Sequence, residues 1–529
     1  MKIVVADSIS ESALEAFKLQ PTWQIVYLPG TPAGGNSLDG AIGEADALIV
    51  RGATKVTAEL LDRAPRLRAI GRAGVGVDNV DVDAATKRGI VVMNTPGGNA
   101  TSVAEHALAL LLALARRIPS ADASIKQGKW EKKKLQGFEL RGKSLGLIGL
   151  GKIGSEVARL AQGFEMQVLA YDPYVSTLVA REQNVRLAGL EELLKASDVV
   201  SLHASATPET RHLLNRRTLG LAKPGLRVIN CARGELVDEA ALLEALDSGQ
   251  VAGAGLDVFE TEPPRNTGLV AHPNVVATPH IAGSTEEAQE IVGIRIAEQV
   301  RDYLLLGIAR NAANMPSISP EEFKKLEPYI QLGEKLGVFL VQIAGERLEE
   351  VRISYDGGLA ELNTHLVKNA VLKGILNRVL DEEANLVNAG TLAQARGLEV
   401  VEVRSARRAA FSNSLGIGLK TDAGPDSVLG MVGVRGALRI LGINDVDIEA
   451  PLRGTILFIR NQDVPGVIGR VGTILGDRGV NIASFALGRN QEARLALGLV
   501  NVDSPIPDQV LDEIRAVPAI RAARVVEIG

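Results

Sequence analysis

Along the first hundred residues, short runs of consecutive apolar residues alternate with longer stretches whose apolar positions recur every three to four residues. Unbroken apolar runs of this length suit strands covered by helices on both faces, as in a parallel sheet. The runs at 3–6, 25–28, 47–50, 69–71 and 91–94 predict five such strands, separated by helices. The same alternation resumes at about 140 and continues to about 283. In the segment 99–105, Ser102 with Glu105 predicts a capping box and an apolar helix through Leu114. Ser284 with Glu287 predicts a second box, opening a helix to about Leu306. The chain thus leaves one doubly wound unit, builds another and returns, which leaves a cleft between residues 1–98 plus 284–316 and residues 99–283.

Beyond 317 the pattern changes. Helical periodicity at 321–344 and 363–383, apolar runs near 351–355 and 398–403, and glycine-rich turns predict a further α/β domain over 317–452. From 453 the order is strand, helix, strand, strand, helix, strand, at 455–460, 464–478, 482–489, 492–502, 507–515 and 520–528. That order is a small βαββαβ sandwich. The fold class is α/β: two doubly wound, Rossmann-like parallel-sheet domains flanking a cleft, an intervening α/β domain and a C-terminal α+β unit.

Composition narrows the function classes. With 529 residues, 46% of them hydrophobic and 23% charged, the chain has ample core for several domains. A net charge of −5 without a basic stripe argues against a nucleic-acid partner. One cysteine, Cys231, rules out an internal disulfide framework and a cysteine-rich metal site, and no metal is expected. The N-terminal residues read as a strand and not a signal peptide, and no apolar run reaches the ~18 residues of a membrane span. A cytoplasmic enzyme with no membrane partner is the expectation.

The chemistry concentrates between Gly149 and His280. A short apolar strand runs into Gly149-Leu-Gly-Lys-Ile-Gly154 and then a helical pattern. Gly149 permits the tight turn, Gly151 lets backbone approach a pyrophosphate, and Gly154 allows helix to pack on strand, with helix N–H groups aimed at the phosphates. Asp172 ends the next strand, at the distance where an acid accepts hydrogen bonds from the adenosine ribose; it would repel a 2′-phosphate, so NAD is expected over NADP. Three later strands end in Arg233, in Asp257 and Glu262, and in His280. Each alone is compatible with an ordinary loop or cap position. Together on one sheet edge they supply a carboxylate-binding guanidinium, a base of suitable pKa for a hydroxyl proton, and an acid to orient that base.

These residues carry a resemblance. Gly-Arg-Ala-Gly-Val-Gly-Val-Asp-Asn (71–79), Asn-Thr-Pro-Gly-Gly-Asn-Ala-Thr-Ser-Val-Ala-Glu-His (94–106), the glycine loop with Asp172, Ala-Arg-Gly (232–234), Phe-Glu-Thr-Glu-Pro (259–263) and Pro-His-Ile-Ala-Gly-Ser (279–284) resemble the D-isomer-specific 2-hydroxyacid dehydrogenases over residues 1 to about 315. The resemblance implies catalysis by Arg233, Glu262 and His280. It implies an NAD site lined by Lys152, Ile153, Asp172, Thr207, Cys231, Ala232, Asp257 and Gly283, with Val75 at the matching contact in the first domain. It further implies oxidation of 3-phospho-D-glycerate to 3-phosphohydroxypyruvate. A phosphorylated substrate needs extra cations, and Arg51 and Arg72 are the candidates, assisted by Asn99 and the backbone at Gly74; the alternative is solvated loop arginines.

Asp463-Val-Pro-Gly466 followed by Gly479-Val-Asn-Ile482 resembles an ACT domain, which implies binding of L-serine through Asp463 and Asn481. The segment 128–137, with Trp130 and Lys132 to Lys134, is implied in dimer formation, and a homotetramer or homodimer is expected. Arg404, Arg407 and Arg408 form either an anion site or a solvated basic face. The rival readings are a relative acting on glyoxylate or hydroxypyruvate, and a non-catalytic NAD-sensing scaffold.

Overall fold

The computed structural model of the chain describes all residues except 29–35, 346, 381–382, 406–412, 491, 493 and 529. Its first sheet has five parallel strands in the order Gln24–Tyr27, Lys2–Val5, Ala47–Val50, Ala69–Arg72, Val91–Met93. Ile3, Val5, Ile49 and Val91 point to one core and Val4, Leu48, Val50 and Val92 to the other, which is the two-sided burial their unbroken apolar runs require. The helix Glu286–Leu306 closes the first of these cores with Val292, Ile296 and Val300.

The second sheet has seven parallel strands, in the order Val275–Ala277, Val251–Leu256, Leu226–Asn230, Val199–Leu202, Ser144–Ile148, Gln167–Tyr171, Arg186–Leu187. Strand order reverses between Ser144–Ile148 and Val199–Leu202, so a crevice opens past their carboxyl ends. The helix Ala100–Arg116 lays Val103, Ala107 and Leu111 on this sheet.

Both interdomain helices begin elsewhere than their capping boxes predict. The first starts at Ala100, with Asn99 as N-cap, so Ser102 sits inside it, and the Ser102 hydroxyl instead pairs with Thr285 Oγ1 at 2.7 Å. The second is capped by Thr285, whose hydroxyl accepts from the Ala288 N–H; Ser284 stands one residue outside. Packing of the two helix starts against each other draws the serine hydroxyl across the junction.

The intervening unit carries the helices Pro320–Ile343 and His365–Val379 over a six-stranded mixed sheet, in which Glu399–Ser405 and Leu348–Gly357 are parallel and the remaining pairs antiparallel. Its segment near 385 docks on the first domain: Asn385 Nδ2 donates to the Gly89 carbonyl at 2.9 Å, and Val387 enters that domain's core. The last unit is a four-stranded antiparallel sheet, Ile482–Asn490, Leu495–Val502, Thr455–Gln462, Ile520–Glu527. The helices Val467–Asp477 and Asp508–Arg515 cover one face. Its other face merges with the intervening core, where Phe458 meets Phe339 edge-on at 6.5 Å between ring centres.

Candidate functional site

Gly149 lies at φ +96°, and a Cβ there would stand 2.7 Å from the His203 carbonyl oxygen across the strand-order reversal. Gly154 faces the turn, its virtual Cβ 2.1 Å from the Gly149 carbonyl oxygen, while the space beside Gly151 is open. The helix Lys152–Gly163 starts directly from this turn without a side-chain cap, leaving its first N–H groups bare. Asp172 accepts from the N–H groups of Leu150 at 2.8 Å and Tyr174 at 2.9 Å, which fixes the acid beside the glycine turn.

Two cavities of about 380 Å³ each adjoin along this edge. One is lined by Gly149, Gly151, Asp172, Tyr174 and Thr207; the other by Arg72, Val75, Asn99, Ile153, Cys231, Ala232, Arg233, His280 and Gly283. His203, Ala204 and Ser205 line both, so the two form one groove. Three buried polar atoms along the second cavity, Arg72 Nε, Asn99 Oδ1 and His203 Nδ1, have no hydrogen-bond partner. An extended polar molecule such as NAD, with a polar substrate beyond it, fits a groove with a phosphate cradle near one end and unsatisfied polar atoms along the rest.

His280 Nδ1 is 2.7 Å from Glu262 Oε2, while the other Glu262 oxygen accepts from the Phe259 N–H at 3.3 Å. With Nδ1 turned to the acid, Nε2 is the nitrogen left for a reactant. The backbone of His280 is left-handed, at φ +54°, and Asp257 holds it there. The Asp257 carbonyl accepts the His280 N–H at 2.8 Å, and its carboxylate accepts the N–H groups of Ile281 at 2.9 Å and Ala282 at 2.8 Å and the Thr278 hydroxyl at 2.6 Å. Burial pushes the Asp257 carboxyl up, but bonds from His106, Thr278, Ile281 and Ala282 outweigh it and hold it below the usual carboxylate range. Asp257 is fully buried and therefore acts on the groove through the loop it clamps.

Arg233 meets Asp78 of the first domain, with Nε at 3.1 Å and Nη2 at 3.0 Å from the same oxygen. Lys152 Nζ also crosses the cleft, donating to the Pro96 carbonyl at 3.2 Å. Burial first, then the charges of Arg233 and Arg51, hold Arg72 below the ordinary arginine value, so positive charge is crowded at this end. Arg51 stands outside the cavity lining, its guanidinium donating to the Ser8 carbonyl at 3.3 Å. Gly74 lies beneath the Arg72 guanidinium, and its carbonyl takes the Thr95 N–H and hydroxyl. Burial raises the Cys231 thiol well above its usual value, which leaves Cys231 as a packing wall.

Three family models match the chain: D-isomer specific 2-hydroxyacid dehydrogenase, NAD binding domain, over residues 108–282; D-3-phosphoglycerate dehydrogenase intervening domain, over 325–444; and ACT domain, over 455–519. The D-3-phosphoglycerate dehydrogenase of a Synechocystis species is 42% identical over 528 residues, 100% of this chain and 95% of the relative. That of Methanocaldococcus jannaschii is 40% identical over 529 residues, 100% of both chains. The chain belongs to the D-3-phosphoglycerate dehydrogenase family. A solved D-lactate dehydrogenase from Aquifex aeolicus, complexed with NAD and lactic acid, is 32% identical, with a TM-score of 0.52 over 60% of this chain and 100% of that one.

Within this family frame, the C-terminal candidates are already engaged. Asp463 pairs with Arg489 at 2.7 Å, and Asn481 Nδ2 donates to Asp503 at 2.5 Å. Arg404 donates to the carbonyls of Ala360 and Leu362 and to the Thr364 hydroxyl, which makes it a structural tie; Arg407 and Arg408 lie outside the described residues. Trp130 is exposed, and Lys134 pairs with Glu131. Sequence reasoning missed Asp78, His106 and His203: Asp78 and His203 line the groove, and His106 meets the Thr278 hydroxyl and the Asp257 carboxylate. The first two stand inside motifs already quoted, but nothing in spacing says which loop faces which across a cleft. Among the described residues no cluster suited to a metal ion occurs, and no helix is long and apolar enough to cross a membrane.

Proposed function

We propose that this chain oxidises 3-phospho-D-glycerate to 3-phosphohydroxypyruvate, the step that opens L-serine biosynthesis. The observation that carries this reading is the His280–Glu262 pair at 2.7 Å lining the same cavity as Arg233 and Arg72, in a chain related end to end to D-3-phosphoglycerate dehydrogenases. NAD, when bound, supplies the nicotinamide ring that accepts hydride from C2. The N–H groups at Gly151 to Ile153 hold its pyrophosphate and Asp172 its ribose hydroxyls, with Val75, Thr207, Cys231, Ala232 and Gly283 as walls. Arg233 holds the substrate carboxylate. His280 Nε2 takes the C2 hydroxyl proton, and Glu262 stabilises the imidazolium that results. Arg72, with Asn99, offers the phosphate a cationic pocket, and Arg51 adds charge from outside it.

Residues 1–98 with 284–316 then form the substrate-binding domain, 99–283 the NAD-binding domain, 317–452 the intervening regulatory domain and 453–529 the ACT domain. L-serine is the effector expected at Asp463 and Asn481, in a cytoplasmic homodimer or homotetramer. NADH formation with 3-phospho-D-glycerate beside unphosphorylated D-glycerate tests the assignment. A strong preference for the phosphorylated acid is expected. Equal or reversed preference would shift the reading to a general 2-hydroxyacid dehydrogenase, and NAD binding without turnover to a sensing scaffold.

A further inference from the structure

Asp78 contributes to this site from the far side of the cleft. It lies on the loop after the strand Ala69–Arg72, and Arg233 follows the strand Leu226–Asn230 of the other domain. The loop is pinned from behind. Asn79 Nδ2 donates to the carbonyls of Arg51 at 2.8 Å and Thr54 at 2.7 Å, and the Asn79 carbonyl accepts the Val56 N–H at 2.8 Å. Gly76 lets the loop wrap the guanidinium, since a Cβ there would stand 2.0 Å from Arg233 Nη2.

The donors of Arg233 can be accounted for one by one. A guanidinium has five N–H bonds in a plane. Nε and Nη2 form its side-on edge, and both point to Asp78 Oδ2, at 3.1 and 3.0 Å. Nη1 donates to the Ala232 carbonyl at 2.7 Å, which lies back along the chain on the stem side. One N–H on each terminal nitrogen is left, and these two are parallel, the end-on fork that grips a carboxylate at both oxygens.

We propose that Asp78 is a positioning residue: it fixes the rotation of the Arg233 guanidinium so that the end-on fork, and not the side-on edge, takes the substrate carboxylate. The side chains of the pair are 70% and 27% exposed, and an ion pair this open adds little to stability. Its value is therefore in orientation. Because the partners belong to different domains, grip on the carboxylate is coupled to the setting of the cleft. Asp78 also offsets the like charges of Arg72 and Arg233, which otherwise repel each other at this end of the cavity.

The inference rests on Arg233 as the carboxylate holder, so its test keeps the two claims apart. Steady-state kinetics with 3-phospho-D-glycerate, and NAD affinity by calorimetric titration, would be measured for the wild type, D78N, D78E, R233K and D78N/R233K. D78N is expected to raise the KM for 3-phospho-D-glycerate about tenfold or more while NAD affinity stays within about twofold, because a charge-assisted bond is lost on the substrate side only. D78E should recover most of the loss. In R233K the oriented fork is gone, so adding D78N should raise KM little further. An unchanged or lowered KM in D78N overturns the proposal, the lowered value marking Asp78 as a competitor for the fork. Equal factors in the two backgrounds overturn it as well. If R233K itself leaves KM unchanged, the underlying assignment of Arg233 falls, whatever D78N does.

Discussion

His203 shows how much a single side chain in this groove depends on its surroundings. Its Nε2 lies 2.8 Å from Ser201 Oγ, its Nδ1 is buried without a partner, and burial lowers its pKa to about 4. An unfolded histidine takes its proton near 6.5, so between about 6.5 and 4 the unfolded chain binds more protons than the folded one. Stability must therefore fall as pH drops through that window. His203→Gln removes the term, and its thermal midpoint should decline less steeply than the wild type's between pH 6.5 and 4.5, above the range where carboxylates dominate. Parallel curves would show that His203 does not stay neutral on folding.

Asp257 and His280 mark what could and could not be read in the sequence at this scale. Parallel strands deliver their ends to one edge, so residues at those ends are legible as neighbours in the sequence itself. The direction of each side chain is not. Asp257 sits where a cofactor contact was expected, yet every bond its carboxylate makes is to the His280 loop or to His106, and those bonds clamp the loop that carries His280 at φ +54°. Arg51, with similar sequence credentials to Arg72, turns to the Ser8 carbonyl instead.

Elements were placed more securely than their ends. The helix Ala100–Arg116 follows from the apolar spacing of Val103, Ala107 and Leu111, which the second sheet covers. Its start could not be read from local capping signals, because the serine hydroxyl found a partner 183 residues away in Thr285. The glycine turn is the reverse case, a local geometry with little freedom. In Gly154→Ala the added Cβ would lie 2.1 Å from a backbone oxygen, and backbone cannot step aside as a flexible side chain can. The variant should lose about 1–3 kcal/mol of stability and bind NAD more weakly, because the helix must lift from the turn that aims its N–H groups. Gly163→Ala at the far end of the same helix is the control. Open space surrounds that position, and a neutral or slightly stabilising effect is expected in calorimetry and NAD titration alike.

At the scale of the whole molecule, the last two units share one core, and the reason is visible in two strands. A sandwich with helices on one side of its sheet needs apolar residues on that face alone. Yet Ile456, Leu457, Phe458 and Ile459 are all buried, as are Ala496 to Val502, so both faces are covered. Leu457 and Ile459 meet the unit's own helices, while Ile456 and Phe458 meet the intervening core. The unbroken run was in the sequence; its partner was not, because three of the strands at 413–451 that complete the intervening sheet are interrupted by glycine and the fourth, Val446–Pro451, alternates polar with apolar residues. Phe458→Ala should cost about 3–5 kcal/mol, as for a large ring removed from a packed core. Since that ring packs on Phe339, the loss should appear in both units together, as a single denaturant transition moved to lower midpoint when followed by hydrogen exchange in residues 320–343 and 455–462. Separate transitions, with 320–343 still protected after 455–462 has exchanged, would mean that the shared core does not couple the units, and an effector bound at Asp463 would then need another route to the cleft.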